Sequence, residues 1–317
     1  MKIVIPGGTG QVGTLLARAF NSDGHEVVVI SRKHEPADWA VVSWDGETLG
    51  EWADEIDGAE VVINLAGRSV NCRYNDENRR EIIDSRVKST RVVGEAIAKA
   101  KTAPRVWLQA STATIYSHRF DAANDDITGI IGGSEPNAPE KWNFSVEVAR
   151  EWERAANEAE TPNTRKVLMR SAVVLSPDRG GIFDVMLGLV RRGLGGTAGS
   201  GEQYISWVHD IDFVNAVRWL IDHEELSGPI NIASPNPMKN RDFMRILRDS
   251  WGASVGLPAT QLMLELGAVF MRTETELILK SRRVVPSRLR ESGFGFSYPL
   301  WEQAARDLCR RWRDENR

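Results

Sequence analysis

The apolar stretch Lys2-Ile3-Val4-Ile5-Pro6 runs straight into Gly7-Gly8-Thr9-Gly10-Gln11-Val12-Gly13, and a helical pattern with Leu15, Leu16, Ala19 and Phe20 on one face follows. Glycine pairs alone mark turns of many kinds. The order strand, glycines, helix and then a second apolar strand, Glu26 to Ile30, confines this part of the chain to a βαβ unit. In such a unit Gly7 permits the sharp turn, Gly10 lets the backbone approach a pyrophosphate, and Gly13 allows the helix to pack closely on the strand. The free N–H groups of the helix start, with the positive end of its dipole, then hold phosphate. A dinucleotide site is the expectation.

The second strand points to which dinucleotide. Val27-Val28-Val29-Ile30 ends in Ser31-Arg32-Lys33, with no carboxylate where an NAD-selecting strand usually places one. The Arg32 guanidinium suits a 2′-phosphate, and Ser31 adds a hydroxyl donor. Glu35 lies beyond the strand end, next to Pro36, and is poorly placed for a ribose. The expected cofactor is NADP.

Apolar runs and helical patterns keep alternating: a strand at 61–65, a long helix at 75–101, a strand at 106–110, a helix at 142–159 and a strand at 166–170. That rhythm implies an α/β fold with a doubly wound parallel sheet covered by helices on both faces. Ligands of such sheets bind beyond the carboxyl ends of the strands, which draws the Gly7–Gly13 turn, Ser31-Arg32, Leu65-Ala66-Gly67, Ser111-Thr112 and residues 171–174 to one crevice. After about residue 176 the texture changes to a glycine-rich loop, a short strand at 204–209, a helix capped by Asp210, a strand at 228–233 and further helices. The expected division is a cofactor domain over 1–175 and a smaller α/β substrate lobe over 176–317 that partly returns to the sheet.

Composition narrows the function classes. The 317 residues are 42% hydrophobic and 26% charged, with net charge −4 and both signs dispersed, so no basic surface invites nucleic acid or a membrane. Cys72 and Cys309 show no metal-ligand spacing and read as reduced thiols. No run reaches transmembrane length, and residues 1–6 already read as a core strand and not as a signal peptide. A cytoplasmic protein acting on a small molecule, with no metal, is expected.

Several motifs in order, Gly7-Gly8-Thr9-Gly10-Gln11-Val12-Gly13, Ser31-Arg32-Lys33, Asn64-Leu65-Ala66-Gly67, Ser85-Arg86-Val87-Lys88-Ser89-Thr90-Arg91, Gln109 to Tyr116, Gly199 to Tyr204, Trp207-Val208-His209 and Pro286-Ser287-Arg288-Leu289, resemble the extended short-chain dehydrogenase/reductase superfamily. The nearer resemblance is to its atypical YfcH-like NAD(P)-dependent epimerase branch, which carries a C-terminal domain of unknown function. The resemblance implies a Rossmann domain binding NADP and a small C-terminal substrate lobe. It places Thr9, Gln11 and Val12 along the pyrophosphate turn, Ser31 and Arg32 at the 2′-phosphate, and Leu65 and Ala66 over the adenosine side. It sets Glu81 and Arg86 facing the cofactor and Val174 near the nicotinamide. Superfamily habit also implies a homodimer through the helices near 75–101 and 142–159.

The superfamily usually carries Tyr-x-x-x-Lys on the helix after the Ser-Thr strand, the lysine lowering the tyrosine pKa for proton exchange. Here that stretch reads Trp142-Asn143-Phe144-Ser145-Val146-Glu147-Val148-Ala149-Arg150-Glu151-Trp152, with no tyrosine and only Arg150 as a cation. Thr112 and Tyr116 are the substitute catalytic candidates; Ser111, His209, Arg179 and Arg288 are weaker ones. Two readings stay open. One is an NADP-dependent oxidoreductase or epimerase on a small hydroxylated or carbonyl substrate, a nucleotide sugar included. The other is a non-catalytic NADP(H)-binding protein that reports redox state to a partner.

Overall fold

Side chains of successive strand residues point to opposite faces, and the first strands use both faces for burial. Ile3 and Ile5 of β1 (Lys2–Pro6) pack with Val27 and Val29 of β2 (Glu26–Ser31) and with helix α1 (Gln11–Ser22), whereas Val4, Val28 and Ile30 pack on the other face. A sheet apolar on both sides needs helices on both sides. The computed structural model, which describes residues 1–33, 36–136, 138–260, 263 and 274–315, shows that arrangement.

The remaining strands are β3 (Ala40–Ser43), β4 (Val61–Asn64), β5 (Val106–Thr112), β6 (Arg165–Ser171), β7 (Val173–Leu175), β8 (Tyr204–Ile205), β9 (Trp207–His209), β10 (Gly228–Ile232) and β11 (Met238–Lys239). Seven of them form one sheet in the order β10-β6-β5-β4-β1-β2-β3, every neighbouring pair parallel. The order reverses between β1 and β4, and a crevice opens there beyond the carboxyl ends of the strands. This is a Rossmann-type doubly wound fold.

Helix α2 (Asp76–Lys99) starts at Asn75, whose side chain accepts the Asn78 N–H at 2.8 Å, and carries Asp76 and Glu77 in its first turn. It packs with α3 (Asn143–Glu158) on the face lined by Val4, Val62 and Trp107. The opposite face holds α1 and α5 (Asp210–Asp222). A second core gathers Phe183 and Leu187 of α4 (Ile182–Arg191), Phe243 and Leu247 of α6 (Asn240–Trp251), and Trp301 and Leu308 of the C-terminal helix. The last three helices are α7 (Glu276–Leu279), α8 (Ser287–Glu291) and α9 (Trp301–Glu315).

Two local expectations are corrected. The stretch 204–209 is two strands, because Ser206 turns away to accept the Val284 N–H at 2.8 Å and donate to the Arg282 carbonyl at 2.6 Å; β8 pairs with β11 and β9 with β7. The cap of α5 is His209, whose Nδ1 accepts the Ile211 N–H at 3.2 Å, while Asp210 is already helical. Glu35 lies outside the described residues.

Candidate active site

Beyond β1, β2 and β4 lies a cleft of about 520 Å³, and Gly7, Thr9, Gly10, Ser31, Arg32, Leu65 and Ala66 line it. Gly7 has φ +77°, and a Cβ there would sit 2.6 Å from the Ala66 Cα. Backbone conformation and space therefore both require glycine. Gly13 lies inside α1, where a Cβ would meet the Gly8 Cα at 2.5 Å, so the helix rests directly on the turn. Gly10 is the N-cap of α1, with no side-chain cap and no acid in the first turn. That helix start offers its N–H groups to an anion.

At the end of β2 the Thr9 and Ser31 hydroxyls are 3.0 Å apart, and the Lys33 N–H donates to Ser31 Oγ at 3.1 Å. Arg32 and Lys33 line the cleft and have no carboxylate partner among the described residues. The opposite wall comes from residues that sequence reasoning missed. Trp44, Asp45 and Glu47 follow β3, and Ser85 and Ser89 lie on α2. The Asp45 carboxylate accepts the Thr48 hydroxyl and the N–H groups of Glu47 and Thr48, which holds its pKa down at about 2 and fixes this loop. Trp52 meets Trp44 edge-on at 5.1 Å.

The other expected cofactor residues are not among those lining this cleft, although the backbone N–H groups of Gln11 and Val12 belong to the helix start just described. Gln11 leans against the start of α4, where a Cβ on Gly181 would come within 2.1 Å of its Nε2. Val12 and Val174 pack against the sheet core. Glu81 is ion-paired with Arg68. Arg86 is only 9% exposed, lies against Gly67 and donates to the Arg68 and Ile82 carbonyls, both at 3.0 Å. Its guanidinium stands 4.8 Å from the Trp152 ring, and burial lowers its pKa to about 10.

Arg86 also lines a second, largely apolar cavity of about 130 Å³, with Ile82, Thr112, Phe144, Ser145, Val148 and Trp152. Phe144 and Val148 have the spacing of a Tyr-x-x-x-Lys pair, and both face this space without a proton to exchange. Besides the Arg86 guanidinium, its polar side chains carry hydroxyls: Tyr74, Thr112, Thr114 and Ser145. Thr112 Oγ1 accepts the Thr114 N–H at 3.1 Å, which leaves its own proton to donate. Ser145 is hydrogen-bonded to the Glu276 carboxylate, which comes from the C-terminal segment.

Tyr116, Ser111, His209 and Arg288 are each engaged in hydrogen bonds within the fold. Tyr116 is 2% exposed; its hydroxyl donates to Asn231 Oδ1 at 2.9 Å and accepts from Arg170 at 3.0 Å, and burial raises its pKa. Ser111 donates to Glu153 at 2.6 Å. His209 is fully buried, stacked on Tyr298 at 3.9 Å and bonded to Asp307 at 3.2 Å. Arg288 binds the carbonyls of Ser227 and Pro229 at the edge of β10, at 2.7 and 2.9 Å.

The doubly wound sheet and the glycine turn define a dinucleotide-binding α/β protein. Residues 3–233 match the NAD dependent epimerase/dehydratase family, and the chain belongs to that family. Residues 260–308 match a domain of unknown function, DUF1731. Among its relatives is the epimerase family protein SDR39U1 of Homo sapiens, 29% identical over 311 residues that span 97% of this chain and 99% of the human one. The epimerase family protein YfhF of Bacillus subtilis is also 29% identical, covering 97% of this chain and 98% of its own. The crystal structure of human SDR39U1 (isoform 2) with NADPH superposes with a TM-score of 0.85, 29% identity and coverage of 98% and 99%. A nucleoside-diphosphate sugar epimerase from Corynebacterium glutamicum gives a TM-score of 0.76 at 29% identity, covering 98% of this chain and 58% of that one. No helix among the described residues is long and apolar enough to cross a membrane.

Proposed function

We propose that this protein binds NADP(H) in the cleft beyond β1, β2 and β4, and exchanges hydride with a small alcohol or carbonyl compound held in the adjoining cavity. The observation that carries the reading is the pairing of an uncapped glycine turn with Ser31, Arg32 and Lys33 in one cleft, the two cations having no carboxylate partner among the described residues. Gly7, Gly10 and the first turn of α1 would hold the pyrophosphate, and Arg32 and Ser31 the 2′-phosphate. The human relative with NADPH supports the same choice.

The bound nicotinamide supplies the hydride chemistry. The chain's own contribution is to place a substrate oxygen against the Thr112 hydroxyl, which has a proton to donate, beside Ser145, whose proton goes to Glu276, with Val148, Phe144 and Trp152 keeping water away. A hydroxyl donor polarises a carbonyl without a change in its own charge, so exchange proceeds more slowly than with a Tyr-Lys pair. The absence of a Tyr-x-x-x-Lys pair from α3, with the apolar Phe144 and Val148 lining this cavity, favours a second reading, a cofactor-binding protein without turnover.

Calorimetric titration with NADPH, NADP⁺, NADH and NAD⁺ tests the cofactor reading. Preference for the phosphorylated pair is expected, and Arg32→Ala should weaken NADPH by about 10- to 100-fold, the worth of one charge-assisted contact, with little effect on NADH. Equal affinity for all four, or an unchanged NADPH affinity in the variant, overturns the assignment. Consumption of NADPH by wild type with a panel of aldehydes, ketones and nucleotide sugars separates the two functional readings.

A further inference from the structure

Next to the Thr112–Ser145 cavity, and sharing Tyr74 with it, lies a third cavity of about 160 Å³. Three distant segments enclose it: Arg73, Tyr74 and Arg79 around the start of α2, Lys141 and Trp142 before α3, and Glu274 and Glu276 from the C-terminal domain. We propose that this cavity holds the remote half of the substrate and that the substrate is a small hydroxylated anion, a hydroxy or oxo compound bearing one carboxylate or phosphate. The proposal rests on the hydride-exchange reading above and extends it to the substrate class.

Two buried polar atoms carry the argument. Trp142 is 7% exposed and Glu276 2% exposed, and Trp142 Nε1 and Glu276 Oε2 have no hydrogen-bond partner. One can only donate and the other, as a carboxylate oxygen, accepts. Burying such groups without a protein partner is costly enough that proteins rarely do so without a reason. Both residues line the cavity, and in the proposal a ligand hydroxyl held there accepts from the indole and donates to the carboxylate. Glu276 is held for that contact, since its other oxygen takes the Ser145 hydroxyl and lies 3.5 Å from Lys280 Nζ.

Charge supplies the rest. Lys280 stands beside Glu276, and Arg73 is 3.4 Å from Glu274. Arg79 and Lys141 have no carboxylate partner among the described residues. Arg79 is oriented by its Nε, which donates to the Tyr74 carbonyl at 3.0 Å, and by the Phe144 ring 4.8 Å beneath it. Arg79 lines the cavity with its Nε committed to Tyr74, and in the proposal its terminal amino groups take the oxyanion as a fork. Tyr74, which lines both cavities, and the Ser145–Glu276 bond set this cavity against the one beside the cofactor cleft, and the proposed molecule spans the two with its anion at Arg79, a hydroxyl at Glu276 and Trp142, and its reacting oxygen at Thr112.

The test is calorimetry on the full-length protein saturated with NADPH, titrated with D-glycerate, glycerol 3-phosphate and, as the uncharged control, glycerol. Binding of at least one anion and not of glycerol is expected. Arg79→Met, Trp142→Phe and Glu276→Gln should each weaken that anion by about tenfold, the loss of one hydrogen-bonded contact, while NADPH affinity stays at the wild-type value and reports folding. If a core variant fails to fold, Arg79→Met, at the partly exposed wall, decides alone. Wild type that binds NADPH but neither anion, or that binds glycerol equally well, overturns the proposal, as do variants that bind the anion as wild type does. Wild type that binds no NADPH overturns the cofactor reading instead, and anion binding to that unloaded protein with the same losses in the variants would still support the subsite.

Discussion

Among single residues, Gly13 does the most with the least. Its α-carbon lies against the backbone of Gly8, where a Cβ would stand 2.5 Å from the Cα and from the carbonyl oxygen. Neither atom belongs to a side chain that can rotate away. Gly13→Ala must therefore push α1 off the turn, which loosens the core and displaces the N–H groups offered to a pyrophosphate. Urea unfolding should show a loss of about 1–3 kcal/mol, typical of overpacking, together with weaker NADPH binding. Gly24→Ala is the control: φ is +80°, but nothing lies within 4 Å, so only backbone strain of about 1 kcal/mol and an unchanged cofactor affinity are expected. Residues of this kind were legible in the sequence because a glycine's role is set by its immediate neighbours along the chain. Ser145 and Glu276 were not. They lie 131 positions apart, and nothing local to either announces the other.

Elements show the same division between local and tertiary information. The long helices and central strands follow from periodicity, since each buries a full face and its pattern repeats. β3 escaped because it is a four-residue edge strand, partly exposed throughout, yet it delivers Trp44, Asp45 and Glu47 to the cleft. α3 was located correctly, but the sequence could not show what replaces its missing catalytic pair. Inward, α3 is tied to the sheet by Glu153. Its carboxylate takes two bonds of 2.8 Å from the Arg170 guanidinium and one of 2.6 Å from Ser111, and Arg170 continues to Tyr116 and Asn231. The network joins α3, β5, β6 and β10, with side chains of Glu153 and Arg170 only 9% and 11% exposed. Glu153→Ala leaves a buried guanidinium without its anion and should cost about 3–5 kcal/mol in urea unfolding. The double variant Glu153→Met with Arg170→Met should cost clearly less. If the single and double variants lose the same amount, the pair is not acting as a unit.

At the scale of the whole molecule the two cores raise the question of cooperativity. The sheet core takes Val208, α5, Ile230 and Ile232 as well as Leu289 and Phe294, so parts of the chain well beyond residue 175 complete the Rossmann layer. The second core begins at Leu175, one residue after Val174 packs against the first. We propose that these are two melting units, with the cofactor cleft in the first and α4, α6 and α9 in the second. Trp301 is the residue to test it. It is 1% exposed, stacked on Phe243 at 3.9 Å, and donates from Nε1 to the Phe243 carbonyl at 2.9 Å. Trp301→Ala removes that stack and should destabilise the second core by about 3–5 kcal/mol. Calorimetric unfolding of the variant should then show an early transition brought down by the substitution and a later one near the wild-type temperature. Because a ligand stabilises only what unfolds with its site, NADPH should raise the later transition and leave the early one in place. A single transition moved by both the substitution and the cofactor would mean that the cores melt as one. In that case a boundary near residue 175 describes where the sequence changes texture and has no thermodynamic counterpart.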